Sequence, residues 1–139
     1  MKVVVIGFGQ CGGRVADEFS RLNSKARSQR HIEICPDVFA VNTDLADLSS
    51  LTAIKSDYQH RILIGSRQTG SHGVGKINEM GADIARMDAD KVIDAIGSAE
   101  RFYEADAFLL AAGVAGGTGS GSMPIMAQKI KERYGDKPL

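Results

Sequence analysis

Three stretches of this 139-residue sequence gather glycine at positions where backbone can meet a ligand. They are Gly7-Phe8-Gly9-Gln10-Cys11-Gly12-Gly13, Gly70-Ser71-His72-Gly73-Val74-Gly75-Lys76-Ile77 and Ala115-Gly116-Gly117-Thr118-Gly119-Ser120-Gly121. Glycine lets backbone come close to a bound group, and the unpaired N–H groups at a helix start attract anions. The chemistry offered is a grip on phosphate. The first stretch satisfies G-x-G-x-x-G at Gly7, Gly9 and Gly12, between a strand and a helix, with Asp44 closing the second strand as a ribose-binding acid would. Taken alone it fits a nicotinamide or flavin dinucleotide, another nucleotide's phosphates, or a tight turn with no ligand. The second stretch spaces Gly70, Gly75 and Lys76 as a P-loop does, but Ile77 stands where a magnesium-binding Ser or Thr belongs. It reads as an auxiliary phosphate loop or a plain flexible one. The third fits neither template, having no lysine and the wrong spacing. It follows a strand and starts a helix, so Gly116–Gly121 present a run of N–H groups, to which Thr118 and Ser120 add hydroxyls. Two cradles of this density suit a chain of phosphates held from both sides.

The elements that position these loops alternate. "KVVVIG" is a β-branched run of the kind that forms a buried parallel strand. "RVADEFSRL" repeats Val15, Phe19 and Leu22 at helical spacing, and "SKARSQRHIEICPD" reads as an irregular polar connection. "VFAVN" is a second strand, followed by a short helix that Asp44 caps, and "RILIG" is a third strand. After a loop from Ser66 to about Ile77, "NEMGADIARMDADKVIDAIGSAERF" reads as one or two helices with a break near Asp88. "ADAFLLAAG" is a fourth strand, and "SMPIMAQKIKERY" a fourth helix with Pro124 in its first turn. "ERYGDKPL" reads as a helix stop at Gly135 and the approach to another strand, which leaves Pro138 and Leu139 with nothing to pair. The predicted fold is α/β, a parallel sheet with helices on both faces. In such a fold every strand-to-helix loop lies at one sheet edge, so the three glycine loops and Asn42–Asp44 should meet there.

Composition narrows the function. Lys plus Arg and Asp plus Glu each number 17, giving a formal net charge of zero, and aromatic residues are few. With no basic block, a nucleic-acid surface is not expected. No apolar run approaches the ~18 residues of a membrane span. Cys11 and Cys35 stand apart without nearby metal-ligand partners, which fits a reducing, cytoplasmic setting.

With those residues set out, the sequence resembles the tubulin/FtsZ superfamily of GTPases, and within it the archaeal tubulin-like CetZ group. Gly116–Gly121 is similar to the family's signature loop in its "GGTGSG" spelling, and "GQCGG" at Gly9–Gly13 to tubulin's first nucleotide loop. "AVNTD" at Ala40–Asp44 matches the second loop of FtsZ, and "GSHGVGKINEMG" at Gly70–Gly81 is similar to the third loop. Three residues depart from the family pattern: Ala115 replaces a third glycine, Lys76 stands where a neutral residue is usual, and Ala46 replaces a Gln common in FtsZ.

The resemblance implies that the 139 residues are the N-terminal part of a GTP-binding domain, without its C-terminal half or a second domain. It implies GTP or GDP with Mg2+ as ligands. Gly9, Gln10, Cys11, Gly12 and Gly13 line the nucleotide, with Gln10 near the metal and Cys11 towards ribose or base. Asp44 approaches the magnesium shell. Gly73, Val74 and Gly75 sense the γ-phosphate, with Lys76 reaching it or pointing to solvent. Gly116, Gly117, Thr118, Gly119, Ser120 and Gly121 wrap the α- and β-phosphates. His72 reads as a structural or interfacial group. The intact protein would polymerise head to tail, hydrolyse GTP with acidic residues from the next subunit, and act in cell shape or division. This chain would hold no catalytic residue of its own. The alternatives are a Rossmann oxidoreductase domain using NAD or FAD, and a nucleotide-binding filament partner without turnover.

Overall fold

The computed structural model describes residues 1–75 and 77–139. Four strands, β1 (Val3–Phe8), β2 (Val38–Asn42), β3 (Arg61–Leu63) and β4 (Ala107–Ala112), form one sheet in the order β3-β2-β1-β4. Every neighbouring pair is parallel. Among the described residues the α-helices are α1 (Gly9–Arg30), α2 (Leu45–Ser49), α3 (Ser66–Thr69), α4 (Asn78–Gly97) and α5 (Gly117–Arg133), with a short 3-10 turn at Phe102–Glu104. The α/β fold expected from the sequence is the one observed.

Apolar residues face both ways from the central strands, because a parallel sheet is covered on both sides. Val4, Ile6 and Phe8 of β1 join Phe39, Val41, Ile62 and the inner residues of α4 and α5 in the larger core. Val5 joins Ala16, Val38, Ala40, Leu48, Leu51 and Ile54 on the α1 face. Helix α1 lies close to the sheet because its buried residues are Gly9, Gly12, Gly13 and Ala16. The periodic residues that mark it as a helix, Val15, Phe19 and Leu22, face outward and are 42%, 37% and 49% exposed.

Five local expectations need correction. The loop expected from Ser66 opens with one helical turn, α3, between the left-handed Gly65 and Gly70. Helix α1 runs on to Arg30, taking in "SKARSQR" in place of the irregular connection expected there. Lys, Ala, Arg and Gln are strong helix formers, and Arg27 and Arg30 in the last turn complement the helix dipole. The helix stops at His31, in the left-handed region at φ 54°, with the N–H groups of His31 and Ile32 returned to Arg27 and Ala26. Helix α4 is unbroken: Asp88, near the expected break, turns its carboxylate to accept the Gly65 N–H at 2.7 Å. Helix α5 begins at Gly117, not Ser122, so Pro124 lies inside it and deprives the Ser120 carbonyl of an i+4 donor. Pro138 is paired after all. Its carbonyl accepts the Phe108 N–H at 2.9 Å on the outer edge of β4.

At the opposite edge of the sheet from the glycine loops, a buried histidine ties the strands together. His60, 4% exposed, stacks on Phe39 with ring centroids 5.1 Å apart. Its Nδ1 lies 2.7 Å from Asp57 Oδ1 and its Nε2 3.2 Å from Asp37 Oδ1. Burial opposes the imidazolium, but hydrogen bonds to Asp37 and Asp57, and their charges, outweigh it and raise the His60 pKa above its ordinary value. A raised pKa contributes stability that is full below the unfolded value of about 6.5 and is lost as pH climbs through the folded value. Thermal unfolding of the wild type should therefore move to lower temperature as pH rises from 6 upward. His60→Gln should lose most of that alkaline slope and cost about 2 kcal/mol at pH 6, because Asp37 is left buried without its charged partner. Scanning both proteins by calorimetry across pH measures both effects, and a slope unchanged by the substitution would remove His60 as its source.

Candidate functional site: four loops at one sheet edge

The carboxyl ends of the parallel strands bring together the loops that the sequence singled out. The first and last meet at a glycine pair. Gly9 opens α1 at φ 72°, a conformation that L side chains rarely adopt, and a Cβ there would lie 2.9 Å from Gly119 N. A Cβ on Gly119 would in turn lie 2.8 Å from Phe8 O. The starts of α1 and α5 are therefore packed backbone to backbone.

Neither start is neutralised from within. Among the described residues no side chain caps α1 or α5, and neither helix has an acidic residue in its first turn. By contrast α2 is capped by Asp44, whose Oδ1 accepts the Asp47 N–H at 3.1 Å, and α4 has Glu79 in its first turn. In α5 the bond from Ser120 N–H to Gly116 O, 3.3 Å long, closes the first turn. The N–H groups of Gly117, Thr118 and Gly119 precede it and have no intrahelical acceptor. Gly9, Gln10 and Cys11 hold the same place in α1. Two adjacent helix starts, each worth roughly half a positive charge, form a strong anion cradle.

The other loops are tied to this pair. Thr43 and Thr118 share a hydrogen bond between their hydroxyls at 2.7 Å, and both are buried. The Gln10 side chain donates to Asp47 Oδ1 at 3.3 Å. Asn42, 4% exposed, accepts the N–H groups of Thr43 and Asp44 at 2.8 and 3.2 Å. The third loop pairs with the second through an isolated antiparallel bridge between Asp44 and His72, and through Leu45 N–H to Ser71 O at 3.0 Å. Gly73, at φ 88°, brings its backbone beside Asp44, and a Cβ there would lie 3.6 Å from Asp44 Oδ2. Gly75 is exposed and open, with nothing within 4 Å of a Cβ position. Lys76 lies outside the described residues.

The glycines divide by what surrounds them. Gly116 is exposed and has open space beside it. Gly117 and Gly121 are buried against α4: a Cβ on Gly121 would lie 2.7 Å from Ala82 N and would run into the Asn78 carbonyl. Gly12 is set against β4, where a Cβ would lie 2.9 Å from Ala111 C, and Gly13 is buried beside Leu51. Val74 is 5% exposed and belongs to the larger core, so only its backbone faces the rim. Ser120 bonds its hydroxyl back to Gly116 O, within its own helix turn. Cys11 is exposed beside Gly113, whereas Cys35 is buried, and burial, with the nearby Glu33 charge, pushes its thiol pKa up. Among the described residues no cluster of three or more His, Cys, Asp or Glu side chains forms a metal site, and no helix is long and apolar enough to cross a membrane. Asn42 and Thr43 belong to the second loop without a role assigned from the sequence, and Asp47 lies outside every motif, yet these three side chains hold the loops together.

A parallel α/β domain with two unneutralised helix starts side by side turns unpaired backbone N–H groups to one sheet edge. The profile of the Tubulin/FtsZ family, GTPase domain, matches residues 2–139, and the chain belongs to that family. Among curated relatives, tubulin-like protein CetZ1 of Haloferax volcanii is 44% identical over 134 residues, which is 96% of this chain and 32% of the relative. The chain thus spans about a third of the length of the curated relatives it matches. Among solved structures, CetZ1 from Haloferax volcanii as a GDP-bound monomer superposes with a TM-score of 0.88 at 42% identity, over 99% of this chain and 40% of that one. CetZ2 from the same organism, a GTPγS-bound protofilament, gives 0.81 at 38% identity, over 96% of this chain and 37% of that one.

The packing division makes a prediction about the family loop. Gly121→Ala should cost about 3 kcal/mol, because α4 backbone must move to admit the methyl group. Gly116→Ala should stay within about 1 kcal/mol of the wild type, since its position is open. Chemical denaturation of the two variants measures the difference. Equal losses would show that the buried and open glycines are not distinguished by packing.

Proposed function

We propose that this chain binds the phosphates of a guanine nucleotide, GTP or GDP, between the starts of α1 and α5. The observation that carries the reading is the contact of Gly9 with Gly119, which sets two uncapped, acid-free helix N-termini side by side. Membership of the tubulin/FtsZ family and the GDP- and GTPγS-bound states of two similar structures support guanine as the base. The N–H groups of Gly117, Thr118 and Gly119 take the α- and β-phosphates, and those of Gly9 and Gln10 approach from the other side. Gly12, Gly13 and Gly121 serve by letting the backbones pack. The backbone of Gly73, Val74 and Gly75 lies where a γ-phosphate is read, and Cys11 faces the ribose or base.

The donor set fits Mg2+, a hard cation that takes oxygen ligands and keeps several waters. Asp44 Oδ1 is occupied by the Asp47 N–H, but among the described residues its Oδ2 has no partner, and Gln10 keeps its carbonyl oxygen because its amide nitrogen makes the bond to Asp47. Asp44 and Gln10 would hold the ion, directly or through water. When bound, the ion neutralises charge on the phosphate chain. Phosphoryl transfer of this kind is catalysis by positioning and electrostatics.

The intact protein, in this reading, is a cytoplasmic cytoskeletal GTPase that assembles head to tail and acts in cell shape or division. Its acidic catalytic residues come from a neighbouring subunit of the filament. The chain alone therefore binds nucleotide without steady turnover. Calorimetric titration with GTP and with NAD in magnesium buffer, with a phosphate-release assay alongside, tests this. Binding of GTP, no response to NAD and no sustained phosphate release are expected. Binding of NAD alone would overturn the reading in favour of a dinucleotide enzyme, and steady turnover would overturn the division of labour.

A further inference from the structure

The hydroxyl pair between the second and fourth loops does more than join them. Thr43 and Thr118 are 0% and 8% exposed, and their hydroxyl oxygens are 2.7 Å apart across 75 residues of sequence. A hydroxyl carries one proton and can accept at its oxygen as well. Two hydroxyls at this distance share one hydrogen bond, and whichever accepts keeps its own proton for another acceptor. Thr118 lies in the first turn of α5, beside N–H groups that lack acceptors. Thr43 lies behind it, where the third loop also converges: Thr69 Oγ1 reaches the Thr43 carbonyl at 3.5 Å, and a Cβ on Gly73 would lie 3.9 Å from the Thr43 hydroxyl. Thr43 is fully enclosed by protein, and Thr118 stands in the uncapped turn that forms one side of the anion cradle.

We propose that Thr43 is a positioning residue: its hydroxyl donates to Thr118, and thereby turns the Thr118 proton towards a bound phosphate oxygen. This inference rests on the guanine-nucleotide reading of the cradle. Among the described residues the Thr43 hydroxyl has no hydrogen-bond partner but Thr118, so only one of the two donor directions leaves both protons used when an anion sits at α5. With Thr43 O–H given to Thr118 Oγ1, the Thr118 O–H goes to the phosphate. In the reverse direction the Thr43 proton faces protein, and the phosphate loses a donor. The bond also polarises the Thr118 hydroxyl, since a hydroxyl that accepts a hydrogen bond donates its own more strongly. Because Thr43 belongs to the loop that carries Asp44, the same bond fixes the metal-side carboxylate relative to the phosphate cradle.

A double-mutant cycle separates this role from simple packing. GDP affinity in magnesium buffer is measured by calorimetry for the wild-type chain, Thr43→Val, Thr118→Val, the double variant and Thr43→Ser, with the thermal midpoint of each. Val keeps the shape of Thr and removes the hydroxyl. Thr43→Val should weaken binding about tenfold, the scale of one hydrogen bond to a charged group. In the Thr118→Val background the same change should have no further effect, and Thr43→Ser should bind within about twofold of the wild type. If Thr43→Val does not fold, Thr43→Cys, whose thiol is a weak donor, takes its place in the cycle. Unchanged affinity in Thr43→Val, losses that multiply in the double variant, or a Thr43→Ser as weak as Thr43→Val would each overturn the assignment. A wild-type chain that binds no guanine nucleotide would instead overturn the functional reading on which it rests.

Discussion

Everything at the site depends on how closely two helix starts are forced together. β1 and β4 are adjacent and in register from Val3 opposite Ala107 to Phe8 opposite Ala112, so α1 and α5 leave the sheet at the same height. Only glycine permits the resulting contact, since a methyl group on Gly9 or Gly119 would press into the other loop's backbone or into β1. Like helix ends repel, and nothing on either first turn offsets the repulsion. Such an arrangement concentrates positive potential in one small space. Packing of the hydrophobic faces below holds it there, with Phe8, Ile6 and Met126 fully buried between sheet and helices.

Charge of the opposite sign is kept to one side. Asp44 and Asp47 stand at the start of α2, and among the described residues their oxygens are committed to the α2 cap, Gln10 and Asn42, apart from Asp44 Oδ2. The cradle is thus free of competing carboxylates in its own turns, while an acidic edge lies across the loop rim. The third loop completes the rim by pairing its backbone to Asp44 and Leu45, which places three positive-φ glycines, Gly70, Gly73 and Gly75, around one short bridge.

Strands, loops and their convergence were legible because each rests on a local pattern: a β-branched run for β1, Asp44 ahead of a short helix, glycine after β4. Helix lengths were not. Polar "SKARSQR" looks like loop when hydrophobic periodicity is the guide, yet its residues favour helix and its charges suit a helix end. The continuity of α4 past Asp88 is a tertiary matter, since only the folded chain shows that Gly65 N–H needs that carboxylate. The stripe of Val15, Phe19 and Leu22 signals a helix correctly but marks its outward face, because small residues do the packing beneath. Within the glycine loops, sequence cannot tell a residue that makes room for phosphate from one that makes room for a helix. Gly116 and Gly121 are five residues apart in one motif and have opposite surroundings.

That last distinction changes how such a motif should be understood. Six small residues in a row look like one feature, but they answer two separate demands. The first is that α4 and α5 cross with their backbones nearly touching, through Gly81 facing Gly117 and Gly121 facing Asn78 and Ala82. The second is that the opening turn of α5 stays uncapped beside Gly9. The first demand sets the tilt of α5, and the tilt decides where the N–H groups of the second point. Thr118 sits between the two demands, one face in the helix and its hydroxyl held from behind by Thr43. A helix that must be both packed by glycine and left open at its tip cannot fix its own first turn with a capping side chain. A buried hydroxyl supplied by the neighbouring loop fixes it without closing it.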